Sequence, residues 1–289
     1  MANRGAGGTA IGAAICRLVE QYQPPAVRLF NDPVIEAIVA WPVKAAMRFA
    51  GVRNFFLSKA EAIAEGTYGA LICRVRYDDD VIAAAMSDGI DQLVILGAGL
   101  DTRAYRLPRI DKMWVFEVDL PKVQSDKKAK LVRYLGGLPP NVTFIPIDFN
   151  TDSLEGVFSR TLFDSSKRAV FIWEGVTQYI SEDAVRKTLS FAGKSAPGSK
   201  IAFTYVVKGV IDGVSEIPGA QRLMTEVARQ GAPWIFGLDP LTIGKYLAPF
   251  HFALTADVGS ADYQARYLQP MNRKLIVSEC ERIAEAVVH

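Results

Sequence analysis

Five short runs of branched and aromatic residues, separated by amphipathic segments, constrain the fold of this chain more than any other feature. The runs are QLVILG (92–97), MWVFEVD (113–119), VTFIPID (142–148), AVFIWE (169–174) and KIAFTYVV (200–207). Runs of this composition predict β-strands. The segments between them, at 121–135, near 153–160 and at 182–193, predict helices. Strands that alternate with helices in this way predict a parallel sheet with right-handed crossovers, which is the α/β class.

The first ninety residues have a different pattern, which predicts helices and no strand. Thr9 is expected to cap the first helix, Pro33 to lie in the first turn of another, and 58–77 to form a third. The aspartates at 78–80 are expected to begin a further short helix that ends near Gly89, because negative charge is favourable at a helix N-terminus.

The chain therefore divides near residue 90 into a helical segment at 1–90 and an α/β domain at 91–289. The alternating HFALTADV (251–258) predicts a sixth strand. An insertion at 208–237 follows the fifth strand, and 262–289 contains one helix and a tail that the pattern does not define.

Composition excludes several classes of function. A formal charge of +2 on 289 residues does not indicate nucleic-acid binding, and the basic run at 122–130 is expected to be a solvated helix face. Three scattered cysteines share no metal-ligand spacing, which indicates reduced thiols in a cytoplasmic protein and no metal site. No apolar run is long enough to span a membrane, so no membrane partner is expected.

The residues that follow the strands are the most informative about function, because doubly wound sheets bind ligands at the carboxyl ends of their strands. The first strand leads into Gly97, Ala98, Gly99, Leu100 and Asp101. The second, third and fourth end at Asp119, Asp148-Phe149 and Glu174. One such carboxylate alone is explained as a cap of the following helix. Three of them beside two glycines favour a nucleoside site.

Each of these residues has a physical role if the ligand is a nucleoside. Gly97 and Gly99 permit a tight turn and a close approach of the backbone. Asp119, about twenty residues further on, is placed to accept both ribose hydroxyl protons. Asp148 is placed to accept from the adenine amino group, and the next backbone N–H to serve a ring nitrogen.

The loop favours a nucleoside without a pyrophosphate. The dinucleotide fingerprint Gly-x-Gly-x-x-Gly has Thr102 at its third glycine position here. Asp101 would also stand beside a phosphate as a like charge. A cofactor with an ammonium group and no phosphate fits better, and S-adenosylmethionine meets both demands.

The sequence also resembles the leucine carboxyl methyltransferase family of S-adenosylmethionine-dependent enzymes. That family includes enzymes that methylate the C-terminal leucine of a protein phosphatase and bacterial O-methyltransferases, some of which act on polyketides. The similar stretches are FNDP (30–33), CRVRYDD (73–79), LGAGLDTRAYRL (96–107), FEVDLPKV (116–123), PIDF (146–149) and WEGVTQYI (173–180), in family order. The resemblance implies a Rossmann-like class I methyltransferase: a mostly parallel seven-stranded sheet with helices on both faces, under an N-terminal helical lid.

The resemblance also implies roles for individual residues. Arg74 matches the arginine that grips the cofactor carboxylate, with Arg76 as a near competitor, and Arg17 is a candidate for a basic residue that faces the site. The other implied cofactor contacts are Asp119 and Leu120 at the ribose, Asp148 and Phe149 at the adenine, and Glu174 near the methionine amino group. Tyr179 matches a tyrosine beside the substrate.

The supply of bases favours a particular acceptor. A carboxylate nucleophile is already ionised at neutral pH and needs only a clamp, for which Arg17, Tyr179 and Tyr205 are candidates. A hydroxyl nucleophile needs a general base, and His251 is the only histidine before the C-terminal residue. We therefore expect a carboxylate or an acidic phenol of a small molecule, such as a polyketide-like compound, as acceptor.

Several alternatives stay open at this point. Trp234 and Phe236 in the insertion form either an apolar substrate wall or part of a core. An NAD(P)-dependent oxidoreductase would use the same glycine loop, although a Tyr-x-x-x-Lys pair is not evident. A non-catalytic nucleoside-binding protein would retain the fold alone. The identity of the acceptor and the choice between monomer and homo-oligomer are not determined.

Overall fold

The computed structural model describes residues 6–289 and is built around a single sheet of seven strands. The strands are β1 (Gln92–Leu96), β2 (Trp114–Asp119), β3 (Val142–Pro146), β4 (Ala169–Trp173), β5 (Lys200–Val206), β6 (Phe252–Val258) and β7 (Glu281–Val288). Their order in the sheet is β3-β2-β1-β4-β5-β7-β6. The mostly parallel seven-stranded sheet that the family resemblance implied is thus confirmed.

The first five strands lie where the apolar runs predicted them, and the pairs among them are parallel. The seventh strand lies in the tail that the pattern left undefined. β7 inserts between β5 and β6 and is antiparallel to both, with Thr204 opposite Ile283 and Val258 opposite the same residue. Its sequence alternates imperfectly, because Glu281 and Glu285 lie among its apolar residues.

Helices cover both faces of the sheet. The helices are α1 (Ala6–Glu20), α2 (Ile35–Ile38), α3 (Trp41–Met47), α4 (Ala50–Ile63), α5 (Thr67–Ser87), α6 (Arg103–Arg106), α7 (Pro121–Leu135), α8 (Leu154–Phe158), α9 (Glu182–Ala192), α10 (Lys208–Ile211), α11 (Ala220–Arg229), α12 (Ile243–Leu247) and α13 (Ser260–Tyr263), followed by a π-helix at Gln264–Leu268. Residues of α1, α2, α5 and α7 share one core layer with the sheet. Residues of α8, α9 and α12 form the layer on the other face. Within the described residues, no helix has both the length and the apolar character needed to cross a bilayer.

The amino-terminal part is helical as predicted, but its helix boundaries differ. Thr9 lies inside α1 and does not cap it. The predicted 58–77 helix is interrupted at Gly66, which has φ +81° and joins α4 to α5. A Cβ on this residue would come within 2.4 Å of the Ser278 backbone nitrogen, so the turn requires glycine.

The sequence predicts that the three aspartates at 78–80 begin a helix, and this prediction is wrong. They lie in the middle of α5, a continuous helix of 21 residues. Asp78 and Asp79 are buried there, because arginine side chains from α6 reach them. Their negative charge therefore serves the tertiary structure and not a helix terminus.

Packing corrects one further prediction about exposure and decides one alternative that the sequence left open. The basic run at 122–130 lies on α7, but Lys127 is only 1% exposed and is not part of a solvated face. Trp234 and Phe236 of the 208–237 insertion are both buried, each in an apolar cluster. The alternative that these aromatics belong to a core is the one observed.

Candidate functional site

The loop after β1 crosses the carboxyl edge of the sheet in a conformation that needs its glycines. Gly97 has φ +71° and Gly99 has φ +34°. A Cβ on Gly97 would also lie 2.2 Å from Cγ2 of Val176, in the segment that follows β4. The Ala98 amide donates to the Val118 carbonyl at 2.8 Å, which ties the loop to β2. Both backbone conformation and close packing therefore select glycine at 97.

Asp119, at the end of β2, is fixed against this loop by two backbone hydrogen bonds. Its Oδ2 accepts from the Gly99 amide and its Oδ1 from the Leu120 amide, both at 2.6 Å. Burial raises the pKa of the carboxyl, and the two amides oppose that rise. Since a carboxylate oxygen can accept more than one hydrogen bond, each oxygen keeps capacity for a ligand hydroxyl.

A buried ion pair supports the loop from below. Lys127 Nζ lies 2.7 Å from Glu117 Oε2, with side chains 1% and 0% exposed. The same ammonium donates to the Ala98 carbonyl at 3.2 Å, so α7 holds the glycine loop directly. Burial raises the pKa of Glu117, and the positive charge of Lys127 opposes this.

Arg103, in the first turn of α6, connects three parts of the chain. Its guanidinium donates to Glu174 Oε2 at 2.7 Å and to Asp79 Oδ1 at 3.0 Å, and it also pairs with Asp101. Burial favours the neutral form of Asp101, but Arg103 and the neighbouring cations outweigh it and lower the pKa of that carboxyl below its usual range. Asp101 is therefore ionised in the folded protein.

Arg74, on α5, lies at the end of β4 between two carboxylates. It donates from Nε to Glu174 Oε1 and from Nη1 to Glu281 Oε2, each at 2.7 Å. Burial disfavours the charge of Glu174, but Arg103 and Arg74 outweigh it and lower the pKa to about 2. Arg76, the alternative to Arg74, instead pairs with Asp80 at 2.9 Å and lies away from these carboxylates.

Asp78 differs from its neighbours, because burial raises its pKa well above the ordinary value; Arg103 opposes this rise and nearby Glu174 adds to it. Its buried Oδ2 accepts no hydrogen bond from the described residues. That oxygen pairs with Arg103 Nη2 at 3.3 Å, and Asp79 pairs more closely with Arg106 at 2.7 Å. In this buried cluster carboxyl groups outnumber guanidinium groups. The carboxyl groups are those of Asp32, Asp78, Asp79, Asp101, Glu174 and Glu281, and the guanidinium groups those of Arg17, Arg74, Arg103 and Arg106.

The end of β3 contributes the remaining part of this edge. Asp148 is half-buried, and its Oδ1 accepts from the Asn150 amide at 3.0 Å in a tight turn. The Phe149 ring is half-buried 6.3 Å from the Trp173 ring. Both residues therefore lie along the same edge as the glycine loop and Glu174.

Arg17 is buried in a different role from the one expected. Its guanidinium donates to Asp32 Oδ2 and to the Leu100 carbonyl at 2.8 Å, and it contacts the Thr102 hydroxyl. These contacts anchor α1 to the glycine loop and occupy the guanidinium. The geometry therefore does not support Arg17 as a clamp for an acceptor.

Tyr179 and Tyr205 lie on opposite sides of the sheet. Tyr179 is half-buried in a short 3₁₀ turn at Thr177–Tyr179, where burial raises its pKa and the Thr9 hydroxyl lies beside its oxygen. Tyr205 is fully buried in the layer that contains α9 and α12, and its hydroxyl donates to Asp257 Oδ1 at 2.8 Å. Tyr205 thus faces away from Arg74, which corrects its assignment as a clamp.

His251 is not near this edge. It precedes β6 and lies beside His289, with ring centroids 6.4 Å apart, and Phe252 pairs with Val288. Because β6 runs parallel to β5, this is the amino edge of the sheet, a full strand length of about 20 Å from the glycine loop. The structure therefore corrects the assignment of His251 as a candidate base.

Sequence reasoning missed the buried ionic partners Asp78, Asp79, Arg103, Arg106 and Glu281. Two signals for them were available. Arg74 and Asp78 are four residues apart, as Arg103 and Arg106 are three apart, so each pair shares one face of its helix. Nothing local marks Glu281, which reaches Arg74 across 207 positions of chain.

Comparison with known proteins agrees with this geometry. The model of the leucine carboxyl methyltransferase family matches residues 10–193. The chain belongs to this family. The match includes α5, the glycine loop, and the ends of β2, β3 and β4, and therefore most of the residues at the carboxyl edge.

Relatives in actinobacteria carry the name "Putative S-adenosyl-L-methionine-dependent methyltransferase". One from Mycobacterium marinum is 37% identical over 61% of this chain and 59% of its own length. One from Mycolicibacterium gilvum is 32% identical over 71% of this chain and 67% of its own length. The family is thus one of S-adenosylmethionine-dependent methyltransferases.

Solved structures agree on the fold. A DUF574 family protein from Streptomyces avermitilis superimposes with a TM-score of 0.60 at 14% identity, covering 94% of this chain and 97% of that protein. A structure described as that of a methyltransferase from Thermobifida fusca gives a TM-score of 0.58 at 18% identity, covering 83% and 89%. At these identities the likeness concerns the fold alone.

Proposed function

We propose that this protein is an S-adenosylmethionine-dependent O-methyltransferase that acts on a carboxylate or an acidic phenol of a small molecule. The observation that carries the choice of acceptor is the position of the histidines. The chain has only two, and both lie at the amino edge of the sheet. An acceptor that is already ionised at neutral pH needs no imidazole to remove its proton.

The donor set at the carboxyl edge fits the proposed cofactor. The excess of carboxyl over guanidinium groups around Glu174 and Asp101 suits a ligand that carries an ammonium and a sulfonium. Asp119 would accept from the ribose hydroxyls, and Arg74 would exchange a carboxylate partner for that of the cofactor. The other proposed contacts are Gly97, Ala98, Gly99 and Leu120 along the loop, and Asp148 and Phe149 at the adenine.

When bound, S-adenosylmethionine supplies a methyl group on a positively charged sulfur. The chain's part is to orient the reacting groups and to exclude water, and positioning of this kind is worth on the order of 7–11 kcal/mol in favourable cases. Tyr179 remains the candidate clamp, because a tyrosine hydroxyl is protonated at neutral pH and able to donate to an acceptor oxygen, and burial raises the pKa of this one further.

Two segments would shape the acceptor pocket around Tyr179. The 1–90 segment is proposed as a lid, since Thr9 of α1 lies beside the Tyr179 hydroxyl. The 208–237 insertion is tied to the same turn, because the Ile235 amide donates to the Gln178 carbonyl at 2.8 Å. Tyr179 itself packs against the insertion's apolar cluster, which includes Trp234.

The two alternative functions predict different binding. An NAD(P)-dependent oxidoreductase would place a pyrophosphate beside Asp101, whose lowered pKa keeps it negatively charged. That repulsion disfavours a dinucleotide. A non-catalytic nucleoside-binding protein would bind the cofactor and transfer no methyl group.

Calorimetric titration with S-adenosylhomocysteine and, separately, with NAD tests the cofactor. We expect S-adenosylhomocysteine to bind, and Asp119→Asn to weaken it about tenfold or more, as loss of a charged acceptor for hydroxyls costs about 1.5–3 kcal/mol. Asp126→Asn, an exposed substitution on α7, is the matched control and should leave binding unchanged. Binding of NAD alone would contradict the proposal.

Methyl transfer to a panel of carboxylic acids and phenols, including polyketide-type compounds, then tests the acceptor. If the rate of methyl transfer to acids does not rise with pH near neutrality, this supports an ionised nucleophile. Cofactor binding without transfer to any extract would favour the non-catalytic alternative. Activity confined to amines or neutral alcohols would overturn the choice of acceptor.

A further inference from the structure

Residues 41–59, which we call the 41–59 surface, expose large apolar side chains to an unusual degree. Trp41, Phe49 and Phe55 are 73%, 69% and 63% exposed, and Val52 is 37% exposed. These residues belong to α3 and α4 and the turn between them, and α4 buries none of its fourteen residues. Clustered exposed aromatics of this kind indicate an interaction surface.

The same surface is strongly basic. Lys44, Arg48, Arg53 and Lys59 lie within it, and it contains no acidic residue. The whole chain has a formal charge of only +2, so the rest of the protein is net negative. Positive charge is therefore concentrated on the segment that also exposes the aromatic side chains.

One side of α4 packs against the rest of the protein, and the opposite side faces solvent. Phe56 and Leu57 pack against the main core layer. Arg53 lies 4.4 Å above the Tyr22 ring and donates to the Met47 carbonyl at 2.7 Å. The solvent side presents Phe49 and Phe55, with Lys59 over the Phe55 ring at 5.5 Å. The helix is thus apolar on both sides, and only one of them is covered.

We propose that the 41–59 surface docks on the headgroup region of an anionic lipid membrane. Aromatic side chains that insert at the interface, flanked by lysine and arginine, are the combination that binds such surfaces. Charge complementarity favours lipid over a second copy of this chain, because a symmetric contact would bring the positive charges of the two copies, those of Arg48 and Lys59 among them, together. The contact is peripheral and requires no spanning segment.

Co-sedimentation of the full chain with vesicles tests this proposal. We expect binding to vesicles of phosphatidylcholine with phosphatidylglycerol to exceed binding to phosphatidylcholine alone by about tenfold or more, and to weaken as salt is raised. The variant with Trp41→Ser, Phe49→Ser and Phe55→Ser should lose most of the binding. Its thermal unfolding should match that of the unsubstituted protein, because the three side chains are exposed.

A matched control substitutes exposed apolar residues elsewhere. Val214→Ser with Leu241→Ser, at sites 75% and 91% exposed, should leave vesicle binding intact. Equal binding by the triple variant and the unsubstituted protein would overturn the proposal. So would an absence of binding to anionic vesicles, or a dimer in analytical ultracentrifugation that the triple variant abolishes, since the surface would then be a contact between copies.

Discussion

Arg103 donates to Glu174 at 2.7 Å although 71 positions of chain separate them. The pair joins the helix that follows the glycine loop to the end of β4. Because Arg74 holds the other oxygen of the same carboxylate, α5 is fixed at this point as well. The carboxyl edge is thus organised by buried charge.

Replacement of Arg103 by methionine should destabilise the protein strongly. The substitution leaves Asp101, Asp79 and Glu174 buried without their shared cation, and breaking a buried ion pair costs about 3–5 kcal/mol. Urea denaturation measures the loss. Arg76→Met is the control, since its pair with Asp80 is partly exposed and should contribute less than about 1 kcal/mol. Equal effects of the two variants would contradict the central place given to Arg103.

A methyl group at Gly97 should lower the free energy of unfolding by more than the backbone conformation alone explains. Gly97→Ala combines a positive φ with a Cβ 2.2 Å from Val176, whereas Gly136 has φ +78° and open space around it. Gly136→Ala should therefore cost about 1 kcal/mol, and Gly97→Ala several times more. Thermal unfolding compares the two. If adding Val176→Ala to Gly97→Ala restores no stability, the clash is not the cause.

The contributions of Asp78 and Glu174 to the stability of the protein should change with pH in opposite directions. The pKa of Glu174 is lowered to about 2, so its stabilising contribution is present above its ordinary range and is lost as pH falls towards that value. The pKa of Asp78 is raised, so its contribution is present at low pH and is lost as pH rises through the raised value.

Matched amide variants test this difference by urea denaturation across the pH range. Asp78→Asn should be at least as stable as the unsubstituted protein at alkaline pH, with its advantage shrinking as pH falls. Glu174→Gln should be less stable near neutral pH, with the deficit shrinking in acid. A parallel response of the two variants would show that the two carboxyl groups do not differ in protonation.

The Glu117–Lys127 pair should show strong coupling. Lys127→Met leaves the Glu117 charge buried alone and should cost about 3–5 kcal/mol. The double variant Lys127→Met with Glu117→Gln removes that charge and should recover part of the loss. A double-mutant cycle in urea measures the coupling. Additive effects of the two substitutions would mean that the pair does not act as a unit.

Local sequence defined much of the fold. Strands β1 to β5 begin and end within about two residues of the apolar runs, because a buried parallel strand needs a continuous apolar segment whatever surrounds it. The glycines at 97 and 99 and the carboxylates at 119, 148 and 174 lie along one edge, since parallel strands place their carboxyl ends together. The roles of these residues toward a cofactor stay predictions.

Other features depended on contacts between distant segments. The tail at 281–288 becomes a strand because β5 and β6 provide antiparallel partners on both sides. The sequence predicts a helix start at the aspartates 78–80 and a solvated face at Lys127, but Asp78, Asp79 and Lys127 are buried because partners such as Arg103 and Glu117 reach them.

The chain's own pattern was therefore sufficient for strands β1 to β5 and the glycine loop, and its motifs were sufficient for the family. It assigned Tyr205 and His251 to the acceptor site, because residue type does not reveal which face or edge of the sheet a side chain occupies. Apolar periodicity is a local property, whereas the pairing of a buried charge is decided by whichever distant residue the fold brings within a few ångströms. The charge network at the carboxyl edge is a property of the tertiary structure alone.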